Sequence, residues 1–339
     1  MNYCGMDLGK KYTHICIVDN DRKVVHERKV RTRVASLRVA LKKWSAMKIV
    51  LEASSQTFWL ADEIEALGHE VIVVDPGRTK AIGSAAIKHD RLDARVLAEL
   101  CHAGLLAEVY RPTRDERVRR MPVTARDAIV KARTKLLNSV RSLLLSEGIH
   151  VGTGSPATFT ERIRVLEEEH GEIFDTVQPM LAAIDALTEA GTEAKALIEQ
   201  RASTCETAQL LQTTHGVGPI VSACFMAAIH DPSRFRRGRD VGAYLGLAPR
   251  LYSSGNKHVI GSITKRGNRQ ARWALTLAAN AMLRGRRESA LRTWAMGVAE
   301  RRGRKTAVVA LARRLAGVLW AMWLQNTEFK PYGVVAAAG

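Results

Sequence analysis

The first 77 residues switch between two hydrophobic periods in a fixed order, and no other feature narrows the architecture of this chain as far. "YCGMDLG" (3–9) reads as a short strand, and "THICIVD" (13–19) alternates apolar and polar residues as strands do. "KVVHERKV" (23–30) follows the tight turn "NDRK", which predicts a hairpin between the second and third strands. "VASLRVALKKWSA" has helical spacing and "MKIVLEA" is apolar enough for a buried strand. "TFWLADEIEALG" is a helix closed by a glycine, and "HEVIVVDPG" is a strand stopped by Pro-Gly.

That order, β-β-β-α-β-α-β, is the order of the ribonuclease H-like fold. The expectation is therefore an α/β domain over residues 1–112. "DRLDARVLAELCHAGLL" predicts a further helix in it. Residues 113–207 predict a helical, coiled-coil-like connector. It includes the Arg-studded "TARDAIVKARTKLLNSVRSLLLSEG", a linker at 152–158, and an acidic helical stretch with a break or kink at Pro179. Residues 208–339 predict a mainly helical basic domain. Within it "THGVGPIVSACFMAAI" resembles half of a helix-hairpin-helix, and the Gly/Ser-rich "YSSGNK" predicts a loop with cations on both sides.

Charge separates these regions. The chain carries +18, and the stretch from residue 208 onward holds +16 of it, with 21 Lys/Arg against 5 Asp/Glu. A basic half of this kind is the footprint of a polyphosphate partner. Arg313 and Arg314 split the longest apolar run, which argues against a membrane span. Five dispersed cysteines without CxxC spacing argue against zinc. With no leader pattern at the N-terminus, they fit reduced thiols and a cytoplasmic setting.

Four acids stand apart from the rest. Asp7 ends the first strand between Gly5 and Gly9, where another backbone or a phosphate could come close. Glu52 ends the fourth strand, a neighbour of the first in a ribonuclease H-like sheet. Asp90 and Asp93 lie one helical turn apart in "KHDRLDAR". Each alone has an ordinary use as a turn former, a strand-end charge or a helix N-terminal charge. Together they would repel unless a cation held them, and Mg²⁺ takes carboxylate and phosphate oxygens. An ATPase reading fails, because neither a second phosphate loop nor a Gly-rich adenosine motif is found.

"MDLGK", "VLEAS", "KHDRLDARVLAEL", "HGVGPIVSA", "AYLGLAPRLYSSGNK" and "GSITKRGNRQAR" occur in the order of the DEDD transposases. The chain resembles that insertion sequence 110 family, which is related to the invertase Piv, over nearly its whole length. The resemblance implies a RuvC-like N-terminal domain, a coiled-coil connector and a C-terminal transposase domain. It implies RNA-guided cleavage and exchange of DNA strands through a phosphoserine protein–DNA intermediate, assisted by Mg²⁺ on Asp7, Glu52, Asp90 and Asp93. The partners it implies are donor and target DNA, a structured bridge RNA, and further copies of the chain, as dimer to tetramer, with each active site completed between protomers. The nucleophile it implies is Ser254, with Ser253 the alternative. Lys257, Lys265, Arg266, Asn268 and Arg269 fall in the matching basic block, and Arg126, Arg133 and Arg141 line the connector. All eight, and the basic helices after residue 280, are expected to touch nucleic acid. The rival expectation is a metal-dependent RuvC-type junction nuclease in which the serine takes no part. Two departures from the family pattern are His215 before Gly216 and His89 before Asp90.

Overall fold

The computed structural model describes residues 1–77, 90–166, 171–254 and 257–332. They belong to two compact units, Met1–Arg114 and Asp115–Gly339.

The first unit is built on one sheet of β1 (Tyr3–Leu8), β2 (Tyr12–Val18), β3 (Val24–Arg31), β4 (Lys48–Glu52) and β5 (Glu70–Val74), ordered β3-β2-β1-β4-β5. β1–β2 and β2–β3 are antiparallel, whereas β1–β4 and β4–β5 are parallel. The expected hairpin is present. The Asp19 carboxylate accepts the main-chain N–H groups of Asp21 and Lys23, both at 2.9 Å, closing the turn.

Strand alternation sends Cys4, Met6, Ile15, Ile17, Ile49 and Leu51 to one face of the sheet. There they pack on Leu37 and Leu41 of α1 (Val34–Leu41) and on Leu60 and Ile64 of α2 (Thr57–Glu65). Cys16, Val18, Val50 and Val74 go to the other face, against Ala94, Leu97, Ala98 and Cys101 of α3 (Asp90–His102). Each buried aliphatic side chain contributes about 1.5–3 kcal/mol. A one-residue slip of β1 or β4 would turn those residues out of their core, so the register is strongly fixed.

In the second unit two 33-residue helices, α4 (Arg114–Ser146) and α6 (Gly171–Ser203), share a core with α5 (Phe159–Arg164). Leu137, Val140 and Leu144 meet Phe159, Phe174, Val177 and Leu181 there. Of the expected break or kink at Pro179, the break does not occur, because α6 continues through it, as α4 does through Pro122. Apolar contacts on both sides, Phe174 and Val177 before Pro179 and Leu181 and Ile184 after it, hold the helix across the missing hydrogen bond.

The remaining elements are α7 (Glu206–Gln212), α8 (Pro219–Ile229), α9 (Gly238–Tyr244), α10 (Arg269–Arg284), α11 (Ala290–Arg302) and α12 (Arg304–Gln325), with the hairpin β6 (Pro249–Ser254)–β7 (Lys257–Ile263). The Gly/Ser-rich stretch is therefore strand and not the expected loop up to Ser254. Gly216 has φ +82°, and a Cβ there would lie 2.6 Å from the Ala278 carbonyl oxygen, so only glycine lets this turn press on α10. Length and composition would let α12 cross a membrane. Its Ala307, Leu311, Leu315 and Leu319 are fully buried in the helical core of this unit.

Candidate carboxylate centre and serine hairpin

In the parallel β1–β4 pair Gly5 lies opposite Val50 and Met6 opposite Leu51, so the next step sets Asp7 beside Glu52. Both are half-buried. By alternation both face the side of the sheet that α3 covers. Gly5 fixes how α3 lies there. A Cβ on Gly5 would stand 1.9 Å from the Ala94 carbonyl oxygen and 2.6 Å from the Ala98 nitrogen. Helix backbone thus rests directly on β1, two residues from Asp7, and half-buried Asp93 immediately precedes the contact residue Ala94. Asp90 is the first residue of α3, and its side chain lies outside the described residues.

The chain beyond Glu52 is tied down locally. The Thr57 hydroxyl donates to the Glu52 carbonyl at 2.5 Å, while the Ser54 main-chain N–H donates back to the Thr57 oxygen at 3.0 Å. Thr57 is fully buried. The Ala53 N–H donates to the Val74 carbonyl of β5, which anchors the same turn to the sheet.

Asp7 pairs across the antiparallel ladder with His14, and His14 with Lys29. Directly opposed residues share a face. A row Glu52–Asp7–His14–Lys29 therefore crosses four strands on the α3 side. The sequence reading passed over His14 and Lys29. Their signal was present in the register that the "NDRK" hairpin implies.

Among the described residues no three His, Cys, Asp or Glu side chains are grouped closely enough to hold a metal ion. Two adjacent carboxylates still fit Mg²⁺, which is commonly held by one or two of them with waters and substrate phosphates. Thiol chemistry is disfavoured. Burial pushes the Cys16 and Cys101 thiols up to about 11 and Cys224 up to about 12, so none is a thiolate at neutral pH.

In the second unit β6 ends at Ser254, and the ladder pairs Ser253 with His258 and Ser254 with Lys257. The side chains of Ser253, Ser254 and Lys257 lie outside the described residues. Lys265, with φ +56°, Arg266 and Arg269 are exposed. Asn268 has a structural task, because its side-chain oxygen caps α10 by accepting the Ala271 N–H at 3.0 Å. Arg272 pins the same segment by donating to the carbonyls of Leu245, Arg266 and Gly267 at 3.0–3.1 Å. On α4 Arg126, Arg133 and Arg141 are half-buried, and Arg141 lies over the Phe159 ring, 4.9 Å from its centroid.

Paired strand-end carboxylates lie under a helix in the first unit, and the basic second unit bears a serine hairpin; comparison with known proteins gives the class, that of the DEDD transposases. A family model described as "Transposase", the DEDD type of IS110 elements, matches residues 4–148, and the model "Transposase IS116/IS110/IS902 family" matches residues 208–294. The chain belongs to the IS110 family of insertion-sequence transposases. It is 28% identical to the transposase for insertion sequence element IS1111A of Coxiella burnetii, over 96% of this chain and 90% of that protein. A probable family 20 transposase of Pseudomonas aeruginosa is also 28% identical, over 96% of this chain and 98% of the relative. The pilin gene-inverting protein of Moraxella bovis shares 30% identity over 36% of this chain and 38% of its own length.

Proposed function

We propose that this transposase cuts and exchanges DNA strands through a covalent phosphoserine intermediate, guided by a structured RNA of its own element. The adjacency of Asp7 and Glu52 on β1 and β4, beneath the helix that carries Asp90 and Asp93, is the observation that supports this most. We take the sheet order β3-β2-β1-β4-β5 as RuvC-like, and we divide the chain into a catalytic domain (1–112), a connector (113–207) and a transposase domain (208–339).

Asp7, Glu52, Asp90 and Asp93 would hold Mg²⁺, which when bound neutralises charge on the scissile phosphate. The protein's own task is to fix these carboxylates. Thr57, Gly5 and the sheet register do so. The Ser254 hydroxyl attacks phosphorus, forming an Oγ–P bond and breaking the P–O bond to the neighbouring sugar. The serine's proton passes to a base and returns to the departing sugar oxygen. After exchange a sugar hydroxyl attacks the phosphoserine, which restores both the DNA and the serine. The basic residues on α4 and around Lys265 would bind phosphates, with sequence choice left to base pairing. Action in the cytoplasm as dimer to tetramer completes this reading.

The test is retention of DNA on the denatured polypeptide after expression of the protein with its element's flanking non-coding DNA, the source of the guide RNA, in the presence of Mg²⁺. An adduct seen with wild type and lost in Ser254→Ala supports the reading. Loss in Ser253→Ala alone moves the nucleophile by one residue. Cleaved DNA with no adduct in any variant overturns the serine step in favour of a metal-dependent nuclease.

A further inference from the structure

The second unit folds scattered cations into one groove. Its volume is about 1840 Å³, and nine Lys/Arg line it against a single carboxylate, Glu328. Arg236, Arg237 and Arg239 come from the head of α9. Arg301, Arg302 and Lys305 come from the α11–α12 junction, and Arg313 and Arg314 from the middle of α12.

Glycines bring these groups together. A Cβ on Gly238 would lie 3.0 Å from the Gly317 Cα, and one on Gly242 would lie 2.9 Å from the Arg313 Cγ. So α9 rests almost backbone to backbone on α12, which draws the arginines of both helices toward one cleft. Little inside the unit offsets their charge. Asp240 reaches Arg237 at 3.5 Å and Arg239 at 4.0 Å. Arg314 lies over the Trp294 ring, 4.5 Å from its centroid. Among the described residues no carboxylate pairs with Arg301, Arg302, Lys305 or Arg313. Like charges within a Debye length of about 8–10 Å repel one another. A fold that gathers them is suited to a bound polyanion.

The lining is mixed in a way that narrows the choice. Val309, Ala310 and Val318 with half-buried Trp294 and Trp320 supply apolar and aromatic surface between the cations. A cationic groove interleaved with aromatics is how proteins hold a nucleic-acid strand irrespective of sequence. The groove also takes in Pro249, Gly261, Ser262 and Ile263, the base of the hairpin whose β6 ends in Ser253 and Ser254.

We propose that this groove grips the sugar-phosphate backbone of a DNA strand and leads it along β6–β7 toward the serines. The choice of DNA over RNA rests on the serine reading above, while the demand for polynucleotide phosphates does not. The basic helices after residue 280 were expected to hold nucleic acid; their joining with Arg236, Arg237, Arg239 and the base of the serine hairpin into one groove was not.

The test compares full-length wild type with an Arg301→Ala/Arg302→Ala/Lys305→Ala variant, by fluorescence anisotropy on a labelled DNA strand and an RNA of equal length, across a salt series. Three lost phosphate contacts should weaken DNA binding at least tenfold and flatten the slope of log K against log salt by about 2. The charge-conserving Arg301→Lys/Arg302→Lys variant should keep most of the affinity and slope, which separates charge loss from misfolding. Unchanged affinity and slope for DNA would overturn the proposal. So would a loss confined to RNA, which would assign the groove to the guide. If wild type forms no covalent adduct while the triple variant loses DNA affinity, the serine reading falls and the groove stands.

Discussion

A methyl group on Gly5 of β1 would lie 1.9 Å from the carbonyl oxygen of Ala94 in α3. The helix that carries Asp90 and Asp93 can approach Asp7 only because this position has no side chain. Gly5→Ala should therefore lift α3 from the sheet at a cost of about 1–3 kcal/mol or more, as overpacking does. The variant should melt several degrees lower and lose DNA cleavage. Gly191→Ala is the control, since its methyl would meet only Ile129 at 3.7 Å, and helical Gly→Ala is neutral or stabilising by about 0.4–1 kcal/mol. A Gly5→Ala protein that cleaves normally would mean that the carboxylates do not depend on the position of α3.

The parts of the fold that could be read in advance are those encoded locally. Period-2 alternation in "THICIVD" and the Asp19 turn specify the hairpin, and both acids ending apolar strands put Asp7 beside Glu52 once the strand order is known. The flanking glycines of Asp7 signalled a close approach but could not name Ala94 as the visitor, because that contact joins segments far apart in sequence. Pro179 was read as a break or kink, and the break failed because propensity ignores the packing of Phe174 and Leu181 on either side of it. The serine hairpin was hidden because Gly, Ser and Asn are poor strand formers, and register is visible only in the folded ladder. The cations of the last helices were legible as a nucleic-acid surface, but their assembly into one groove was not, for a similar reason. Gly238 and Gly317 look like flexible points in a sequence and become a helix crossing only in three dimensions.

Neutralising the paired acids should separate chemistry from stability. Asp7→Asn and Glu52→Gln each remove one of two like charges that the β1–β4 register sets side by side. Melting temperature measured on the same preparations separates a loss of chemistry from a loss of fold. DNA affinity should change little, while strand cleavage should drop below detection in a gel assay. Cleavage surviving both substitutions would remove these carboxylates from the reaction.

Thr57 acts at one remove from the chemistry. It locks the Glu52 carbonyl through a 2.5 Å hydrogen bond without reaching the acid's own carboxylate. Thr57→Val keeps the shape and removes a bond worth about 0.5–1.5 kcal/mol. Misplacing a positioned group is costly to rate, so kcat should fall on the order of tenfold with KM for DNA nearly unchanged. Thr57→Ser should restore it. A purely structural role would lower the melting temperature and leave kcat of the folded fraction alone.

Arg272 should be irreplaceable by lysine. One guanidinium nitrogen, Nη1, serves three carbonyls, those of Leu245, Arg266 and Gly267, and the lysine side chain, one bond shorter, cannot carry its ammonium to the same point. Hydrogen bonds to charged groups contribute about 1.5–3 kcal/mol, so Arg272→Lys should cost on that order. It should also loosen the segment bearing Lys265 and Arg266 and weaken DNA binding. Denaturant melts and anisotropy on the same preparation check both effects.

Acid sensitivity should come partly from His69. It is only 5% exposed, its Nδ1 has no hydrogen-bond partner, and burial lowers its pKa from the ordinary value of 6.5. The folded chain thus prefers the neutral ring, and the unfolded chain takes up a proton first as pH falls. The stabilisation is complete above pH 6.5 and is lost below it, as pH falls toward the depressed folded value. Burial lowers His230 in the other unit in the same sense. Melting temperature should be flat from pH 8 to about 7 and should drop below about pH 6.5. His69→Asn should melt lower at pH 8 but show a shallower decline on acidification. An unchanged decline in that variant would mean that His69 is protonated alike in folded and unfolded chains.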